Sequence, residues 1–312
     1  MARYYMSEIG RKFLNKKILE KIEKKVPAFE INNSIHKDLE NLPISPFTFG
    51  LKKIQKRYDC VLIGSDEVWS STLPNVRFIP AYFGIGIDDG KPLFSYASSG
   101  VSLKNPGAKE KAIMDRQWKR MDYIAVRDTV TQSIMEEVTG NKVPLVLDPT
   151  MLNPYFLEKR TEIKNQMLVY GVHFSEEQVN AIKAYAKKNS YQLVSLSWRH
   201  DWCEKHIKAE SAQDMERAFA ESGYCISSTF HGTVFSILNN KPFTCFTADF
   251  RAQKIYELLE KFDLLNCIYN SKTGEGFGVE IDYEEVNRKL QNLQCESKEY
   301  LDRVLEKFSQ GE

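Results

Sequence analysis

Tyr224–Leu238, YCISSTFHGTVFSIL, is the stretch on which the fold turns. Tyr224–Ile226 is a short apolar run of β type, Ser227–Thr229 are small and polar, and a helical pattern begins at Thr233. His231 and Gly232 therefore stand where a strand would hand over to a helix. Backbone N–H groups at such a junction point outward and favour an anion. A histidine beside them holds or moves a proton near neutral pH. The pair suggests a substrate bearing phosphate or carboxylate, and proton-transfer chemistry. A capped helix with a structural histidine is the plainer reading, because strand–turn–helix junctions occur throughout α/β proteins.

The same alternation extends on both sides. Upstream, the apolar runs Cys60–Ile63, Pro92–Ala97, Tyr123–Val126 and Val143–Leu147 read as strands, with helical patterns at Ala108–Arg120 and Thr129–Val138. A polar stretch, Asn153–Asn165, separates these from a second series. That series has strands at Met167–Val172, Gln192–Leu196, Tyr224–Ile226 and Phe243–Phe246, and helices at Ser175–Lys188, Ser211–Glu221, Thr233–Leu238 and Arg251–Phe262. Ser175 and Ser211 are expected N-caps. Short apolar strands alternating with helices indicate parallel sheets. The expected fold is α/β: two doubly wound, Rossmann-like lobes with a cleft between them. One lobe spans 1–155, the second, carrying the His-Gly motif, spans 166–290, and a charged helix fills 291–312.

Bulk properties narrow the function. The 312 residues suit two domains, and 42% hydrophobic with 27% charged residues is ordinary for a globular protein. Net charge is +1, which argues against a nucleic-acid partner held by bulk charge. Six dispersed cysteines without a CxxC pair read as free thiols in a reducing compartment, with no metal site. No leader or membrane-spanning run is visible, so a cytoplasmic location is expected. The basic face of Lys16–Lys25 leaves peripheral membrane contact open.

In open parallel sheets ligands bind beyond the carboxyl ends of the strands. Gly64, Ser65 and Asp66 follow the first strand, Ser98, Ser99 and Gly100 the second, Arg127 the third and Asp148 the fourth. In the second lobe His231, Gly232 and Thr233 stand at such a position, and His173 and His200 are lesser candidates to line the cleft. There is no HExxH, GxxxxGK or GxSxG motif and no dinucleotide fingerprint, which argues against a nicotinamide enzyme or a kinase. Gly84–Gly90, GIGIDDG, is the nearest approach, but no helical pattern follows it.

Six motifs in order resemble the polysaccharide pyruvyl transferase family: Tyr58-Asp59 with GSDEVW at 64–69, SYASSG at 95–100, DYIAVRD at 122–128, LDPTML at 147–152, STFHGTVFSI with Lys241-Pro242-Phe243, and Arg251 with Leu258-Leu259. The resemblance spans about Asp59 to Leu265. It departs at Glu67, where the family has glutamine, and at Ser228, where it has aspartate. It departs again at Thr229, where some members carry arginine. The family's first βα unit, with its "NYG" loop, is not visible upstream.

The resemblance implies a GT-B-like pair of lobes and transfer of an enolpyruvyl unit from phosphoenolpyruvate to a sugar or lipid-linked oligosaccharide. The product is a pyruvate ketal on a capsule, exopolysaccharide or wall precursor. No cofactor or metal is implied. The donor carries about three negative charges at neutral pH, so it calls for cations and N–H donors. Arg127 is the first choice for a clamp and Arg251 the second. The N–H groups after His231, with Gly232 and Thr233, are candidates for the phosphate. Gly64, Ser65, Ser98 and Ser99 are further binding candidates. His231 is the expected general acid, and Asp66 positions the acceptor or orients a catalytic group. Two other readings stay open: a nucleotide-sugar glycosyltransferase of the same shape, and a truncated, non-catalytic carbohydrate-binding member.

Overall fold

The computed structural model describes residues 58–69, 79–101, 103, 108–152, 163–247 and 252–309. The described residues form two units: those up to 152 together with those from Leu290 onward, and those from 163 to Lys289. The expected basic helix at 16–25 and Arg251 lie outside the described residues.

In the first unit β1 (Val61–Ile63) pairs in parallel with β2 (Leu93–Ser95). The ladder continues through bridges Phe94–Tyr123, Ser98–Val126 and Val126–Leu145. The expected strands at 123–126 and 143–147 are thus paired segments of the same parallel sheet. Alternation along them sends side chains to both faces. Ile63, Leu93, Ile124 and Val126 join Met114 and Trp118 of α1 (Ala108–Lys119) and Met135 and Val138 of α2 (Thr129–Thr139). Phe94, Ala125 and Val146 face the other way, onto Tyr300 and Val304 of the long C-terminal helix. That helix (α7 below) starts at Tyr283 and runs to Ser309, and its part from Leu290 groups with the first unit.

Among the described residues, the second unit holds five parallel strands, β3 (Lys164–Tyr170), β4 (Gln192–Leu196), β5 (Lys205–Ile207), β6 (Ser222–Ser227) and β7 (Phe243–Cys245), in the order β5-β4-β3-β6-β7. Its helices are α3 (Glu176–Lys188), α4 (Ala212–Glu221), α5 (Phe230–Leu238) and α6 (Ala252–Lys261), with α7 following. Met167 and Val169 turn to Ile182 and Ala186 of α3, whereas Tyr170 turns to Phe219 of α4 and Phe235 of α5. Both faces of the sheet are therefore covered, as its near-continuous apolar strands require. Ser175 and Ser211 cap α3 and α4 as expected; Ser175 does so in a reciprocal capping box with Gln178. The edge strand β5, Lys-His-Ile, carries no alternation long enough to read from sequence.

The connection from β5 through α4 carries the chain past β4 and β3 to place β6 on the far side of β3. This is the Rossmann strand order, and its switch point lies between β3 and β6.

Candidate active site

Beyond β6 the chain enters α5 three residues earlier than its sequence pattern indicates. Thr229 is the N-cap, its hydroxyl accepting from Gly232 N–H at 3.0 Å. His231 and Gly232 are thus inside the first helical turn, not in front of it. The physical reason is the cap: a β-branched hydroxyl residue in extended conformation satisfies an otherwise orphaned N–H and sets the helix start there. The His231 ring is half-buried, 5.4 Å from the Phe230 ring and 6.3 Å from that of Phe235, one turn on.

The ends of β3 and β6 are pinned together. Ser228 Oγ donates to the Val172 carbonyl at 2.7 Å and accepts from the Val172 N–H at 2.8 Å. Gly232 packs so closely that a Cβ there would lie 2.3 Å from Ser227 Oγ and 2.7 Å from Tyr170 Cδ1. Its smallness lets the helix start press against the end of β3. Tyr170 in turn meets Trp198, after β4, at 4.7 Å between ring centroids. His200 donates from Nε2 to the Gly171 carbonyl at 2.9 Å, and burial holds its imidazole below the ordinary histidine value. Lys254 of α6 lies over the Phe230 ring at 6.0 Å, bringing a cation to the start of α5.

A second cluster forms at the carboxyl edge of the first unit's sheet. Arg127 Nη1 donates to Asp148 Oδ2 at 2.6 Å and Nη2 to Asp66 Oδ1 at 2.5 Å. The Arg127 and Asp148 side chains are 3% and 2% exposed, and that of Asp66 is 35% exposed. Burial works against the guanidinium charge, but Asp66 and Asp148 outweigh it and raise Arg127 above its usual value. Gly64 turns the chain after β1 at φ +144°, where a Cβ would sit 2.0 Å from the Tyr96 carbonyl oxygen. Ser65 is half-buried beside it.

Residues 6–249 match the sequence pattern of the polysaccharide pyruvyl transferase family. The chain belongs to that family. Membership carries its general activity: pyruvyl transfer in polysaccharide synthesis, with a sugar or polysaccharide as acceptor. The match begins at residue 6, well upstream of the six motifs. No curated protein matches the chain. Among solved structures it is similar to a UDP-N-acetylglucosamine 2-epimerase from Rickettsia bellii, at 12% identity and TM-score 0.41, covering 83% of this chain and 77% of that one. It is also similar to the wall teichoic acid polymerase TagF, at 13% identity and TM-score 0.36, covering 74% and 71%.

The transferase's expected site residues fall into three groups. Asp66, Arg127 and Asp148 meet in one cluster, and His231 stands at the switch point of the other sheet. Ser98 and Ser99, 0% and 1% exposed, are turned inward. Ser98 Oγ donates to the Ile63 carbonyl at 3.0 Å, and the Ser99 N–H donates to the Asp66 carbonyl at 2.9 Å, so both shape the loop from beneath. The N–H groups after His231 also need correcting as phosphate ligands. Gly232 N–H is taken by Thr229 Oγ1, and Thr233 N–H by the Thr229 carbonyl at 3.2 Å. Thr233 is fully buried, its hydroxyl donating to the same carbonyl at 3.0 Å.

The sequence reading did not pick out Lys254; its only signal was membership of the helix that follows Arg251. The Cys245 thiol is structural: it is buried and its pKa is pushed up to about 12. No helix among the described residues is long and apolar enough to cross a membrane.

Proposed function

We propose that this transferase moves an enolpyruvyl group from phosphoenolpyruvate to two hydroxyls of one sugar, forming a pyruvate ketal and releasing phosphate. The observation that supports the reading best is the place of His231. It sits in the first turn of α5, immediately beyond β6, at the point where the strand order of its sheet reverses. An open α/β sheet collects its ligand at that point. The positive end of α5 and the Lys254 ammonium favour an anion there.

His231, as imidazolium, gives its proton to the methylene carbon of the donor. The adjacent carbon becomes oxocarbenium-like and one sugar hydroxyl adds to it, its proton returning to the imidazole. The second hydroxyl then closes the ring as phosphate leaves, and its proton departs with the phosphate. An imidazole with a reference pKa of about 6.5 serves both directions of that exchange. Asp66, the solvent-facing member of its cluster, accepts a hydrogen bond from an acceptor hydroxyl. The acceptor is a capsule, exopolysaccharide or wall precursor.

The test is phosphate release from phosphoenolpyruvate over a panel of hexosides, with mass spectrometry for the ketal. His231→Gln is expected to fold, by circular dichroism, and to lose about 100- to 10,000-fold in turnover. A folded His231→Gln protein with unchanged phosphate release removes the histidine from the mechanism. Silence of the wild type over the whole panel, with a thermal shift by uridine or guanosine diphosphate sugars, favours the glycosyltransferase reading instead.

A further inference from the structure

We infer that Asp148 is a positioning residue of this transferase: it fixes the Arg127 guanidinium, and through it the outward-facing carboxylate of Asp66. The inference rests on the proposed role of Asp66 toward an acceptor hydroxyl and extends it to a residue that never touches substrate.

The three side chains form a line from the interior to the surface, 2%, 3% and 35% exposed for Asp148, Arg127 and Asp66. Each junction is short and charge-assisted, at 2.6 and 2.5 Å. The inner end is fully engaged. Asp148 Oδ2 takes Arg127, while Oδ1 takes the Thr150 N–H at 3.1 Å and the Thr150 hydroxyl at 2.8 Å. The Asp66 backbone is held separately. It adopts φ +69°, and its carbonyl accepts from Val68 N–H at 2.7 Å and Ser99 N–H at 2.9 Å. Arg127 holds Oδ1 of the Asp66 carboxylate itself, at 2.5 Å. It bridges the two carboxylates, one from each side. A carboxylate oriented in this way suits a hydroxyl donor.

Asp148→Asn is close to isosteric but cannot serve both neighbours. The Thr150 N–H and the Arg127 guanidinium present only donors to it, on opposite oxygens, so its NH₂ must face one of them. In the full-length chain labelled with ¹⁵N-arginine, wild-type Arg127 is expected to give two resolved Nη signals, because both nitrogens are held and rotation about Cζ–Nε is blocked. Arg127→Lys assigns them. Asp148→Asn is expected to merge them and to cut phosphate release from phosphoenolpyruvate at least tenfold on whichever hexoside of the panel is turned over. In an Asp66→Asn background the same change should cost less than twofold. Thr150→Val, which removes one hydrogen bond from Asp148, should move both readouts the same way by a smaller amount, and decides the matter if Asp148→Asn does not fold. Resolved Nη signals in the folded Asp148→Asn protein, or losses that multiply independently in the double variant, overturn the inference. If the wild type turns over no hexoside, the proposed function fails, while the Nη signals still decide whether Asp148 anchors Arg127.

Discussion

Ser228 holds Val172 by both of its backbone polar groups, donating to the carbonyl at 2.7 Å and accepting from the N–H at 2.8 Å. One hydroxyl thus ties the turn before His231 to the chain leaving β3. Ser228→Ala removes both bonds from a site only 7% exposed. The expected loss is about 1–3 kcal/mol of stability, on the order of 1 kcal/mol for each bond. Urea unfolding reads this directly; an unchanged midpoint would mean that water replaces the hydroxyl.

Gly232 admits no side chain at its present spacing. A methyl group there meets Ser227 Oγ at 2.3 Å and the Tyr170 ring at 2.7 Å, both on buried or half-buried neighbours. Gly232→Ala must push α5 away from the end of β3. We expect a cost of about 1–3 kcal/mol, as for overpacked cores, and a drop in turnover because His231 moves with the helix. Thermal unfolding and phosphate release check the two halves of this expectation separately.

Replacing Arg127 by methionine takes from Asp148, 2% exposed, the guanidinium that donates to its Oδ2. Breaking a buried ion pair by removing one member costs about 3–5 kcal/mol. Arg127→Met is expected to unfold at correspondingly lower urea, and Arg127→Met with Asp148→Asn to recover much of the difference. Equal stability of wild type and single variant would show that the pair adds nothing to the fold.

His200 predicts an acid limb. Burial holds its folded value below the ordinary one, with the Gly171 carbonyl and Asp201 acting in the opposite direction. The unfolded chain therefore takes up its proton first. Stability from this group is unaffected above about pH 6.5, falls as the pH drops below that value, and levels off once the folded imidazole is also protonated. Melting temperatures from pH 8 to pH 5 should decline in wild type and decline less in His200→Gln. Parallel curves would assign the acid limb to other groups.

Much of this architecture is legible in the sequence. Ser175 and Ser211 announced their helices because a cap is a local arrangement of a hydroxyl and an N–H three residues on. Thr229 is the same kind of cap, yet the sequence pattern places the helix start at Thr233. The apolar repeat of α5 is strongest there, and repeat outweighed cap. The edge strand β5 carries no sequence signal because three residues paired on one side leave no pattern.

The placement of Asp66, Arg127, Asp148 and His231 at the carboxyl ends of strands followed from local alternation alone, since period and punctuation are properties of neighbouring residues. Which of them meet was decided in three dimensions. In the sequence Arg127 can either clamp an anion or pair with a neighbouring carboxylate, and the folded sheet sets it between the carboxylates of Asp66 and Asp148. His231 became a switch-point residue only when the crossover set β6 beside β3. Strand order and charge pairing depend on contacts between distant segments, whose free energies exist only once the sheet has formed.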